Sequence, residues 1–191
     1  MTKQNHSKLD AEKADRMTET KQSEPWLRGT LGDVPAVARA VLHALQLAEE
    51  DLEKWCGALS DAQLNARPDG VAPVAFQIRH IARSVDRLLT YAEGRQLSEA
   101  QLEQLRRELE PGASAAKLFA ELKEQLRRAE QRIRALAATE DLEAARAVGR
   151  RALPTTVGGL LVHVADHTQR HTGQAITTAK IVRASAAEKR A

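Results

Sequence analysis

Residues 157–183 read VGGLLVHVADHTQRHTGQAITTAKIVR, and this stretch decides the fold. Val157, Leu160, Leu161, Val164, Ala175 and Ile176 recur at three- and four-residue steps, the period of a helix that lays one face on a core. Thr155 or Thr156 caps its start, just after Pro154, and the pattern runs to about Arg183. The same stretch carries His163, His167 and His171 at a spacing of four. Residues four apart share a helix face, with Cβ atoms about 5–6 Å apart. Leu160 and Val164 lie close by, so the row of imidazoles borders the apolar stripe.

Three further helices of similar length precede it. Asp33 followed by Val34 and Pro35 predicts a helix start. Val34, Val37, Val41, Leu45, Ala48, Leu52 and Trp55 carry its stripe, and Gly57 ends it. Residues 58–72 read as a loop. A second helix is predicted from about Pro73 to Tyr91, with Phe76, Ile78, Ile81, Val85, Leu88 and Leu89 as apolar positions and Gly94 as its stop. Ser98 and Gln101 form a capping box for a short helix, 98–109, which Pro111-Gly112 breaks. A third long helix spans roughly 114–138 through Leu118, Leu122, Leu126, Ala129, Ile133 and Leu136. Residues 139–154 read as a connector, and nothing in the chain shows period-two alternation. The expectation is an all-α fold: a four-helix bundle with one extra short helix.

The ends differ from the body. Residues 1–24 balance five basic against five acidic side chains, and apart from Met1 their only large apolar residues are Leu9 and Met17. Such a segment buries too little to offset its ordering entropy, so 1–24 are expected to be a disordered polar tail, with Met17 an alternative start. The bundle is placed at 25–183, and 184–191 as a tail that frays.

Composition narrows the function. The chain has 191 residues, one cysteine, 29 Lys+Arg against 26 Asp+Glu, and 3% aromatics. One cysteine excludes an internal disulfide and a multi-cysteine zinc finger. Few aromatics argue against single-strand nucleic-acid binding by base stacking. Arg106, Arg107, Arg127, Arg128, Arg132 and Arg134 alternate with Glu108, Glu121, Glu124 and Glu130, so surface ion pairs account for them and no nucleic-acid partner is expected. No apolar run approaches the roughly 18 residues of a membrane span, and there is no apolar leader. A soluble cytoplasmic protein without a membrane partner is the expectation.

The histidines carry the chemistry. Two imidazoles one turn apart can converge on one divalent ion, with Zn–N near 2.0–2.1 Å. Histidine pairs of this spacing also occur on ordinary helix surfaces. Three in a row beside a core are costly, however, unless something uses them. A catalytic site needs a third ligand from another element and an open position. His80, inside the second helix and flanked by apolar residues, is the candidate; its alternative is a packed interface histidine. His43 shares a face with Arg39, Gln46 and Glu50 and reads as a solvated surface residue. Asp166, Gln169 and Gln174 can orient a ligand N–H or substrate, or simply form a polar face. Arg79, Arg83 and Arg170 can meet an anionic substrate group, although Arg79 and Arg83 read more naturally as a solvated face. Gly158-Gly159 reads as a site of close helix packing, and Cys56 as an inert small residue.

Gln77-Ile-Arg-His80-Ile-Ala, Leu153-Pro-Thr-Thr-Val-Gly-Gly-Leu-Leu-Val-His163 and His167-Thr-Gln-Arg-His171-Thr-Gly-Gln174 together resemble the DinB-like (YfiT-type) superfamily. The resemblance covers about residues 25–183. It implies an up-down-down-up four-helix bundle, often a homodimer, with a divalent metal, zinc or nickel, on three histidines. Carried over, the ligands are His80, His167 and His171, with His163 a neighbour one turn earlier. Some relatives are thiol S-transferases that use low-molecular-weight thiols such as bacillithiol or mycothiol, and another branch isomerises maleylpyruvate. The pattern departs at Arg83, three residues after His80, where relatives often carry an acidic residue.

The expected function is therefore a metal-dependent enzyme acting on a small molecule, a thiol S-transferase or a hydrolase. The alternative is a metal-binding bundle without catalysis, a sensor or stress-response module. A three-histidine ion stays dicationic, because neutral imidazoles bring no charge, and so acidifies a thiol or water at its open position.

Overall fold

Most helix ends lie where their capping chemistry puts them. The computed structural model describes residues 23–188. The expected tail therefore lies outside the described residues apart from Ser23 and Glu24, as do residues 189–191. Among the described residues there are six α-helices: α1 (Ala36–Cys56), α2 (Asp61–Asn65), α3 (Val74–Ala92), α4 (Glu99–Arg106), α5 (Ala115–Thr139) and α6 (Val157–Glu188). A two-stranded ribbon, β1 (Ala145–Val148) and β2 (Leu153–Thr156), lies between α5 and α6. Ser98 and Gln101 form the expected capping box on α4. Thr156 Oγ1 accepts from the Gly159 amide at 3.0 Å and so caps α6. Gly94 ends α3 with φ of 74°, its N–H bonded to Tyr91 O and that of Arg95 to Thr90 O. A side chain with a Cβ is disfavoured in that left-handed closure.

Several local expectations are corrected. α1 starts at Ala36 with Pro35 as its cap and no side-chain cap bond; the Asp33 carboxylate instead accepts from Arg134 on α5 at 2.9 Å. The loop 58–72 holds α2, opened by a second capping box between Ser60 and Gln63. The connector 139–154 contains most of the antiparallel ribbon, with Ala145 opposite Thr156 and Val148 opposite Leu153. ARAV and LPTT are short, small and half-exposed, so no alternation marks them. α6 runs on to Glu188, because the Ala- and Glu-containing end holds nothing that stops a helix. Gly158 and Gly159 make room for the chain beside them, Leu142 and Thr155, rather than for another helix.

Residue pairings set the bundle's directions. Gln77 meets His171 and His80 meets His167, so α3 and α6 are antiparallel. Gln169 binds Ala44 O and Lys180 lies over the Trp55 ring, so α1 and α6 are parallel. Arg83 pairs with Glu121, and Glu93 with Arg132, so α3 and α5 are parallel. The four long helices thus run up, down, down, up. α6 packs on both α1 and α3, and α3 also packs on α5.

Leu52, Leu64, Ile78, Ile81, Leu89, Leu122, Ile133 and Leu161 are fully buried between these helices. Each contributes about 1.5–3 kcal/mol by leaving water. Ile78 and Ile81 bracket His80, while Leu161 and Val164 precede His167. The turns that bear the histidines are therefore fixed by the core itself. No helix among the described residues is long and apolar enough to cross a membrane.

Candidate metal centre

α3 and α6 run antiparallel in contact, and this brings His80 against the His167–His171 turn. One ring nitrogen from each of the three lies within 4.8 Å of the others. The Nε2 atoms of His80 and His167 are 2.9 Å apart. The His171 ring stands 4.4 Å from that of His80 and 4.5 Å from that of His167, centroid to centroid.

The other face of two rings is already committed. His80 Nδ1 lies 2.7 Å from Glu108 Oε2, and His171 Nδ1 lies 2.7 Å from Gln77 Oε1. A carboxylate and an amide oxygen only accept, so both Nδ1 atoms carry the proton. Both Nε2 lone pairs are then free to face the common point. Burial first, then the charges of neighbouring histidines and Arg170, hold His167 down at about 4. Burial, followed by His80 and Arg170, does the same to His171, also to about 4. Both rings are neutral at neutral pH, the form that ligates.

These residues fit a divalent ion. Two nitrogens on a tetrahedral ion at 2.0–2.1 Å stand roughly 3.3 Å apart, so a shift of a few tenths of an ångström at His80 and His167 suffices. Three imidazole nitrogens suit zinc, nickel and similar borderline ions and do not suit calcium or magnesium.

Glu108 was read from the sequence as one half of a surface ion pair, and that is corrected. It is 3% exposed, takes the proton side of His80, and accepts from Arg87 Nη1 at 2.5 Å. Burial pushes its carboxyl up, but the hydrogen bonds from His80 and Arg87, with the charge of Arg87, hold it below the usual range. Arg79 and Arg83 do not form a solvated face either. Arg79 is buried and donates to the Glu108 and Glu110 carbonyls at 2.8 and 2.7 Å. Arg83 binds Glu121 and the Gln104 carbonyl. Arg79, Arg83 and Arg87 are thus one arginine row along α3 that clamps the α4–α5 segment against the site. The carboxylate that meets His80 comes from this segment and not from its own helix.

The remaining candidates lie farther out. His163 is exposed, its ring centroid 5.4 Å from that of His167 and tilted at 44° to it, with Nδ1 3.9 Å from Asp166. Asp166 pairs with Arg170 at 2.7 Å and bonds none of the three clustered rings. Gln174 lines a cleft beside His171. Gln169 is spent on Ala44 O. His43 is 7% exposed, with Nε2 3.2 Å from Thr30 Oγ1, so the surface reading is corrected: the segment before α1 folds over it.

Cys56 is buried, and burial pushes its thiol up to about 11. Alkylation of the folded protein by iodoacetamide at pH 8 is therefore expected to leave Cys56 unmodified, with full labelling in denaturant. Rapid labelling of the folded form, read by intact mass, would contradict this environment.

Fold and cluster together define a helical bundle with a built site suited to a divalent metal. The family model of the DinB superfamily matches residues 44–175, from within α1 to within α6, and the chain belongs to that superfamily. No curated protein matches the sequence.

Proposed function

We propose that the protein is a metal-dependent enzyme that joins a low-molecular-weight thiol to an electrophilic small molecule, with zinc or nickel on His80, His167 and His171. The observation that supports this is the convergence of three ring nitrogens, with the rings of His80 and His171 held from behind by Glu108 and Gln77. Three protein ligands leave a tetrahedral ion one open position, the arrangement of a catalytic rather than a structural site. A divalent ion there supplies a Lewis acid that lowers the pKa of a thiol or water at that position.

The chain's own residues supply the rest. Glu108 and Gln77 fix which nitrogen of His80 and of His171 is free. Arg87 keeps Glu108 ionised inside the protein. Cys56, buried and protonated, is not the sulfur donor, so the thiol comes from outside. In the transfer the thiol's proton passes to solvent and its sulfur lone pair forms the new C–S bond. The leaving group departs with the electrons of the bond that breaks. The reading extends to a cytoplasmic homodimer.

Elemental analysis of the purified protein tests the first half: about one zinc or nickel per chain is expected. A conjugation screen on that loaded protein, with small thiols against a chlorinated aromatic electrophile, tests the second. Metal without thiol-dependent turnover favours the non-catalytic bundle; no metal removes both readings.

A further inference from the structure

Beside the histidine cluster lies a cleft of about 650 Å³ between the start of α3 and the middle of α6. It shares walls with the cluster. Phe76, on one side, stacks on the His80 ring at 5.3 Å and 19°. Gln77, next to it, holds His171. Val71, 43% exposed, extends the apolar wall outward. Gly173 lies on the opposite side.

Gly173 has no structural reason to be glycine. It sits inside a long helix, where glycine is unfavourable relative to alanine. Its φ is not positive, and a Cβ there would meet nothing within 4 Å. Neither a turn nor a close helix crossing needs it. What the missing side chain leaves is space in the cleft.

The charge of the cleft has one sign. Among the described residues, Arg170 is the only charged one that lines it, and no carboxylate does. Arg170 gives one amino group to Asp166 on the preceding turn, away from the lining, and its side chain is 56% exposed. Unlike Arg79, Arg83 and Arg87, it is not held by the α4–α5 segment.

We infer that this cleft binds a small organic acid, its apolar body between Phe76, Val71 and Gly173 and its anionic group at Arg170. This rests on the reading of the histidine cluster as the reactive centre and names the substrate class for it. An apolar body fits a wall that is mostly hydrocarbon, and the guanidinium selects a carboxylate over an amine of the same shape.

The test uses three probes of one skeleton, phenylacetate, 2-phenylethanol and phenethylamine, titrated into the full-length protein and followed by backbone amide shifts. Metal content is measured on the same samples. Phenylacetate is expected to shift Val71, Gln77, Gly173 and Thr177, and to bind at least tenfold more tightly than the amine. Gly173→Ala should keep or raise the thermal midpoint. Gly173→Leu should weaken phenylacetate at least tenfold while metal content is unchanged. Arg170→Gln should erase the preference for acid over amine and leave the alcohol's affinity as it was. The inference is overturned if the amine binds as well as the acid, if the shifts map elsewhere, or if Gly173→Leu, folded by its thermal midpoint, binds as the wild type does. Should that variant not fold, Gly173→Ala with undiminished affinity and unperturbed cleft shifts overturns it as well. A protein that holds no metal yet binds phenylacetate in this cleft sinks the metal reading alone.

Discussion

Replacing His80, His167 or His171 by alanine is expected to remove most of the bound divalent metal, each substitution acting alone. The three rings meet at one point from two helices, so the loss of any one leaves two nitrogens and no closed coordination shell. His163→Ala should retain the metal with a modest loss of affinity, because that ring only lies against His167, tilted, from the exposed side. His43→Ala should retain it fully, although it loosens the segment at Thr30. Titration of metal into chelator-treated protein measures all five variants. Full occupancy in the three cluster variants would falsify the site.

Metal removal should not unfold the bundle. Ile78, Ile81, Leu161 and Val164, which hold the histidine-bearing turns, are fully buried hydrocarbon and need no ion. The thermal midpoint should nevertheless fall on chelation, because an ion that binds only the folded state stabilises it by mass action.

The long helices were legible because their stripes are long. Leu118, Leu122, Leu126, Ala129 and Ile133 repeat over enough turns to outweigh any local ambiguity, and all five are buried. The histidine cluster was legible in two parts: the four-residue spacing on α6, and an isolated His80 among apolar neighbours on α3. What joins these parts is the antiparallel contact of α3 and α6, which spacing alone does not show. The ribbon was not legible, since four-residue strands of small residues carry no period. Asp33 was misread because a carboxylate before a proline looks the same whether it caps its own helix or reaches Arg134 a hundred residues away. His43 was misread for a similar reason: periodicity describes a helix and not the segment that folds over it. Glu108 was the costliest omission. Within a run of alternating Arg and Glu, one buried glutamate has no local mark. The signal that existed was an arginine row at 79, 83 and 87 on a helix whose Ile78, Ile81, Val85 and Leu89 are core, which requires partners from elsewhere in the chain.

Glu108→Ala is expected to have two separable effects. Arg87 is 8% exposed, and the Glu108 carboxylate is its partner at 2.5 Å, so removing it leaves a buried cation uncompensated. Breaking a buried pair in this way costs about 3–5 kcal/mol of folding stability. The same substitution frees His80 Nδ1 of its acceptor, which lets the ring rotate or exchange tautomers. Loss of such a partner lowers metal affinity about 10–100-fold. Glu108→Gln separates the two effects. Its amide oxygen still accepts from His80 Nδ1, but it brings no charge to Arg87. Stability should therefore fall much as in the alanine variant, while metal affinity stays nearer that of the wild type. Thermal unfolding of the chelated proteins reads the first effect and competitive metal titration the second. Nitrogen NMR of the His80 ring reports the tautomer directly: Nδ1–H in the wild type and in Glu108→Gln, a mixture in Glu108→Ala. If the alanine variant keeps one tautomer and wild-type affinity, then the α4–α5 segment only packs on α3, and the arginine row holds it there for stability alone.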